Sequence, residues 1–219
     1  METYPDREMM MIDLAQHLAG ELENALLTHE RVSFAVPGGT TPGPVFDALC
    51  AAPLDWGRVH VMLTDERWVD ERSDRSNTRL VKERLLQNRA KAAQFVPFYR
   101  DGHEAAAAMA EVGETIAPVL PLSVLLLGMG ADMHTASLFP GAAELEEALS
   151  TQAPIMAINP DGQETRVTLT GPVLSGAMAT HIVITGEEKR AALERAQQLD
   201  ARDAPVKTVL ANATVHWAP

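Results

Sequence analysis

Leu125-Leu126-Leu127-Gly128-Met129-Gly130-Ala131-Asp132-Met133-His134-Thr135-Ala136-Ser137-Leu138-Phe139-Pro140-Gly141 joins an apolar run to two glycines, an acid and a histidine. The apolar run from Ser123 to Leu127 predicts a buried strand. Gly128 and Gly130 let the backbone turn tightly and come close to a ligand. Asp132 and His134, two residues apart, supply groups that hold and move protons near neutral pH. Strand, glycine turn, acid and histidine in that order mark a reaction site at the end of a strand.

Outward from this stretch, strands and helices alternate. The spacing of Leu14, Leu18, Leu22 and Leu26 predicts a helix over 6–27. Val32–Val36 reads as a strand that runs into Pro37-Gly38-Gly39-Thr40-Thr41. A helix over 42–51 follows, with Thr41 as N-cap and Pro42 at the first helical position. Val59–Thr64 is a strand, Asp65–Arg75 a charged loop, and a helix of about a dozen residues begins near Ser76 or Asn77. The alanine-rich segment 103–117 is helical by propensity. Residues 154–158 and 166–169 flank the turn Asn159-Pro160-Asp161-Gly162 and form an antiparallel pair. Strand 181–185, helix 187–198 and strand 214–217 close the chain. This order predicts an α/β fold in a single domain, 1–219. Its core is a Rossmann-like, mainly parallel sheet with helices on both faces, plus a small antiparallel element. In such sheets ligands lie beyond the carboxyl ends of the strands.

Composition narrows the function. Hydrophobic residues make up 46% of the 219, enough for a core on both sides of a sheet. The lone cysteine, Cys50, rules out an intramolecular disulfide and a multi-cysteine zinc site, and predicts a reducing compartment. No basic, apolar leader opens the chain and no run reaches the length of a membrane span, so a cytoplasmic protein is expected. A net charge of −12 disfavours nucleic acid and anionic lipid as partners. A phosphorylated ligand would then depend on a few locally placed cations.

Several segments supply those cations and the backbone to accompany them. Gly38-Gly39-Thr40 before a helix start exposes N–H groups where the helix dipole favours an anion, although an ordinary capped turn has the same sequence. Asp65-Glu66-Arg67-Trp68 is either a solvated charged loop or a site segment in which Arg67 pairs with phosphate and the acids orient it or contact hydroxyls, with Trp68 favouring burial. Arg166 opens a strand and is either a snorkelling edge residue or a cation of the site. Thr185 and Glu188 have capping-box spacing, yet Lys189 in the same turn opposes the helix dipole unless an anion sits beside it. No zinc, P-loop or nucleophile-elbow pattern is present, and Gly128-x-Gly130 lacks the third glycine of a dinucleotide fingerprint. The other six histidines and the run Met9-Met10-Met11 read as structural.

Taken together, Pro37–Pro42, Asp65–Val69 with Ser76-Asn77, Gly128–Gly141, Arg166–Thr170 and Thr185–Lys189 resemble the 6-phosphogluconolactonase family along nearly the whole chain. The resemblance implies a fold shared with glucosamine-6-phosphate deaminases and hydrolysis of 6-phospho-D-glucono-1,5-lactone without metal or organic cofactor. It makes His134 the general base and Asp132 its carboxylate partner. Gly38, Gly39, Thr40, Asp65, Arg67, Gly128, Gly130, Arg166 and Lys189 become contacts to substrate or phosphate. The partner it implies is a small phosphosugar lactone, and the chain itself is expected to be a monomer or weak dimer. The amino-sugar-phosphate deaminases share Asp65-Glu66 and the histidine loop, but they carry a carboxylate after the histidine where this chain has Ser137-Leu138-Phe139-Pro140. A non-catalytic sugar-phosphate sensor would have no need of Asp132 and His134. Where the family has glycine between the acid and the histidine, this chain has Met133. The expectation is a backbone there that tolerates a side chain, with Met133 covering one wall of the pocket.

Overall fold

A computed structural model describes all residues, 1–219. Helix α1 (Arg7–Thr28) is started by Asp6, whose carboxylate accepts from the Met9 N–H at 2.8 Å. Its leucines at four-residue spacing are buried together with Met10 and Met11, whereas Met9 faces solvent. That stripe lies over a sheet whose strands are apolar on both faces.

The strands, in chain order, are β1 (Glu2–Thr3), β2 (Val32–Val36), β3 (Val59–Leu63), β4 (Asp65–Arg67), β5 (Gln94–Val96), β6 (Val124–Gly128), β7 (Ile155–Ile158), β8 (Arg166–Leu169), β9 (Ala179–Thr185) and β10 (Ala213–Ala218). The further helices are α2 (Gly43–Leu49), α3 (Asn77–Arg84), α4 (Ala105–Ile116), α5 (Leu145–Ser150), α6 (Gly171–Ser175), α7 (Glu187–Ala196) and α8 (Lys207–Leu210). Seven strands form one sheet in the order β1-β10-β9-β6-β2-β3-β5, and every pairing in it is parallel. β4, β8 and β7 form a second, antiparallel sheet. One continuous core runs from α1 to β10. No helix is long and apolar enough to cross a membrane.

Strand order determines where a ligand goes. From β2 the chain builds outward through β3 and β5, then returns to β6 on the other side of β2 and continues outward through β9 and β10. Consecutive loops therefore leave in opposite directions between β2 and β6, which opens a crevice at their carboxyl ends. Both glycine turns, 37–42 after β2 and 128–141 after β6, emerge there.

Four local expectations change. The charged stretch after β3 is not all loop: Asp65–Arg67 is β4, separated from β3 only by Thr64 and paired with β8. Its alternation cannot be read from three residues, because long-range pairing supplies the strand. Thr41 does not cap α2; the helix starts at Gly43 with Pro42 preceding it and no side-chain cap. The capping box of Thr185 and Glu188 does not form either. Thr185 ends β9, and Gly186 at φ 84° turns the chain into α7. Helix α3 is shorter than expected, at eight residues, with Ser76 accepting from the Arg79 N–H at 3.2 Å.

Candidate active site

The crevice holds a cavity of about 300 Å³ lined by the β2 turn, by Asp65 and Arg67 of β4, by Asn77, and by Gly128, Gly130, His134, Arg166 and Lys189. Every residue expected at the site lines this cavity except Asp132, which stands behind His134. The size suits a small ligand.

His134 and Asp132 form a hydrogen-bonded pair, with Nδ1 to Oδ1 at 2.5 Å and the His134 N–H to the same oxygen at 3.2 Å. The carboxylate holds Nδ1, so Nε2 is the nitrogen free to act. Gly130 is needed for this closeness: a Cβ there would overlap both the imidazole and the Asp132 carboxylate. The loop is closed by the Gly130 N–H to the His134 carbonyl at 3.0 Å and by Thr135 Oγ1 to the Gly128 carbonyl at 2.9 Å. Phe139 packs 4.7 Å from the His134 ring, and the Arg166 guanidinium stands 5.3 Å from the Phe139 ring centroid. That aromatic ring spaces the histidine from the cation.

Met133 departs from expectation twice. Its φ is +68°, the left-handed region, so the backbone here is one that favours glycine. Its side chain packs against the core and does not line the cavity. Ala136, at φ +49°, repeats the conformation three residues on and does face the cavity. Strain of this kind persists only when the surroundings overdetermine it. The Val206 N–H to the Met133 carbonyl at 3.1 Å is one such tie.

The two acids of β4 divide. Glu66 is fully buried and never reaches the cavity. Its carboxylate accepts from the N–H groups of Arg67, Asn77 and Thr78 at 2.7–2.8 Å and from Ser76 Oγ at 3.1 Å, so it caps α3 from a distant strand. Burial pushes its carboxyl up, and those N–H donors oppose the shift. Asp65 does line the cavity, accepting from Ser137 Oγ at 2.6 Å and Thr64 Oγ1 at 3.0 Å, with Arg166 at 3.9 Å. Ser137 is thus a buried anchor for Asp65.

Arg67 and Arg166 stand directly opposite each other in the β4–β8 register. Like charges so placed repel, and each guanidinium has a buried Nε without a hydrogen-bond partner. Burial pushes the Arg166 guanidinium down from its ordinary range, Asp65 opposes the shift, and the Arg67 charge adds to it. Lys189 enters the same cavity from the first turn of α7. Three cations and one carboxylate, Asp65, line this small space, and the excess of positive charge suits an anion.

A family model described as glucosamine-6-phosphate isomerases/6-phosphogluconolactonase matches residues 5–217. The chain belongs to this family. A 6-phosphogluconolactonase of Mesorhizobium japonicum is 41% identical, the match covering 99% of this chain and 94% of the relative. One of Rhizobium meliloti is 40% identical over 94% of this chain and 93% of the relative. The crystal structure of a 6-phosphogluconolactonase from Shewanella baltica superposes with a TM-score of 0.96 at 35% identity, covering 100% of this chain and 97% of that one.

Within the glucosamine-6-phosphate isomerase/6-phosphogluconolactonase framework, the cavity lining extends beyond the expected site residues and includes Asn77 and Ala136. Ser76-Asn77 and Gly128–Gly141 carry the family resemblance, but neither stretch by itself assigns Asn77 or Ala136 a place at the site. Nothing in local sequence shows that a helix start 39 residues beyond the β2 turn, Asn77 against Gly38, touches it.

Proposed function

We propose that this protein hydrolyses 6-phospho-D-glucono-1,5-lactone to 6-phospho-D-gluconate. The observation that carries the reading is the Asp132–His134 pair at the edge of a cation-lined cavity, in a chain close to 6-phosphogluconolactonases over nearly its full length. Asp132 accepts a hydrogen bond from Nδ1–H, which leaves the Nε2 lone pair free to take a proton. Neutral His134 takes a proton from the water as its oxygen attacks C1. The carbonyl π pair moves onto oxygen, where backbone N–H groups of the glycine turns steady the charge. The intermediate collapses, the bond from C1 to the ring oxygen breaks, and the imidazolium returns its proton to that oxygen. The product is the open-chain acid, which then ionises.

Arg67, Arg166 and Lys189 hold the phosphate, and Asp65 accepts from a sugar hydroxyl. Gly38, Gly39, Thr40, Gly128 and Gly130 let the backbone approach. All of these groups come from the one α/β domain of residues 1–219, and the reaction belongs in the cytoplasm, where the single, buried Cys50 stays reduced.

General-base catalysis contributes roughly 10² to 10⁴ in rate. His134→Ala should therefore lower kcat by about that factor with the fold intact, measured on freshly generated lactone against the uncatalysed background. Wild-type turnover in a folded His134→Ala protein would remove His134 from the mechanism. No acceleration by the unmodified protein would sink the lactonase reading.

A further inference from the structure

We propose that Asn77 is a positioning residue for anion recognition: a neutral amide that locks the Arg67 guanidinium beside the Gly38-Gly39 turn without cancelling its charge. This deepens the reading above and rests on Arg67 meeting the phosphate.

Asn77 is only 3% exposed, yet its side chain borders the cavity. Its Oδ1 accepts from Arg67 Nη1 at 2.8 Å, and its Nδ2 donates to the Asp65 carbonyl at 2.9 Å. The partners decide the amide's orientation. Reversed, the NH₂ group would face guanidinium hydrogens and the oxygen would face a carbonyl, two repulsive contacts in place of two bonds. On its other side the amide fills the space where a Cβ of Gly38 would stand, so the β2 turn packs directly on it. One side chain thereby sets the distance between an arginine on β4 and the glycine turn after β2. Its own backbone is held by Glu66, through the Asn77 N–H to Oε1 at 2.8 Å.

The choice of an amide has a consequence for charge. Both side-chain hydrogen bonds of Arg67 go to neutral oxygens, Asn77 Oδ1 and the Arg75 carbonyl. A carboxylate in the place of Asn77 would bind the guanidinium more tightly. It would also offset the positive charge, add a negative one at the cavity wall, and leave the Asp65 carbonyl without its donor. Asp is nearly isosteric with Asn, so Asn77→Asp separates charge from shape. For an anion about 6–12 Å from the new charge, a loss of about 10- to 100-fold in affinity is expected at an effective dielectric of about 20.

Wild type, Asn77→Asp and Asn77→Ala are titrated calorimetrically with inorganic phosphate and with 6-phosphogluconate, after circular dichroism and melting show that each is folded. The same proteins are assayed on 6-phosphogluconolactone and on unphosphorylated gluconolactone. Asn77→Asp should weaken both anions at least about tenfold and raise KM for the phosphorylated lactone in proportion. Its kcat should fall less than its phosphate affinity, and its kcat/KM should fall less on the unphosphorylated lactone than on the phosphorylated one. Asn77→Ala, which frees Arg67 without adding charge, should weaken the anions less. If phosphate affinity and KM are unchanged in Asn77→Asp, the proposal is overturned. An equal fall of kcat on both lactones with phosphate binding intact also overturns it and leaves Asn77 a packing residue. The phosphate titration stands apart from the lactonase reading. Should wild type hydrolyse nothing, phosphate binding that is lost in Asn77→Asp still upholds the role of Asn77, whereas wild type binding neither anion overturns it.

Discussion

Replacing Met133 tests whether the histidine loop stores backbone strain. At φ +68° a side-chain-bearing residue is disfavoured by about 1–2 kcal/mol. Glycine escapes that penalty but loses about 0.4–1 kcal/mol through the greater freedom of the unfolded chain. Met133→Ala keeps the strain and removes the packed side chain, which is half-buried on the core and contributes about 1 kcal/mol. Met133→Gly removes the same side chain and the strain together. The two variants differ only by a methyl group, so their comparison isolates the backbone. Met133→Gly should be the more stable by about 0.5–1 kcal/mol, reversing the usual advantage of alanine over glycine. For a chain of this size that is about 1–4 °C in Tm. Differential scanning calorimetry or urea unfolding of both proteins measures it. Ala136→Gly repeats the test in the same loop, at φ +49°, with only a methyl group removed. Should Met133→Ala melt at or above Met133→Gly, the loop is not strained at this position and the reasoning fails.

Gly130→Ala should lower kcat by at least tenfold with little change in Tm, because its Cβ occupies the space of the Asp132–His134 pair; unaltered kcat would show that the loop makes room. Lys189→Ala and Arg166→Ala should each raise KM at least about tenfold and change kcat less. Unchanged KM in both would place the anion elsewhere. Far from the site, His181 Nδ1 and His216 Nε2 are 3.0 Å apart in the sheet, and His216 Nδ1 meets the Tyr4 hydroxyl, which donates to Asp13. Burial pushes both imidazoles down to about 4 from 6.5, so the fold holds them neutral while the unfolded chain takes up protons below 6.5. Their contribution to stability is therefore complete above pH 6.5 and declines as pH falls toward about 4. Urea midpoints at pH 7 and pH 5 should differ accordingly, and equal midpoints would contradict the neutral pair.

Much of this protein was legible before its fold was known. Leu14, Leu18, Leu22 and Leu26 announce α1 because one helical face must leave water. Val32–Val36 and the run ending at Leu127 announce central strands because both faces of a parallel sheet are covered. Glycine turns, acid and histidine mark the ends of those strands as chemical, since local geometry alone brings Asp132 onto His134. Strand order, and with it the crevice between β2 and β6, comes from long-range pairing that no local pattern encodes. The same holds for β4, where three charged residues become a strand because β8 lies beside them. Tertiary packing also separates Asp65 from Glu66, sending one to the cavity and the other to a helix start. It sets Arg67 against Arg166, places Asn77 under Gly38, and holds Met133 in a conformation its side chain disfavours. Sequence determined which groups the protein owns and the periodicity that folds them locally; only the assembled sheet decided which of them face one another, because those distances are fixed by packing between segments far apart in the chain.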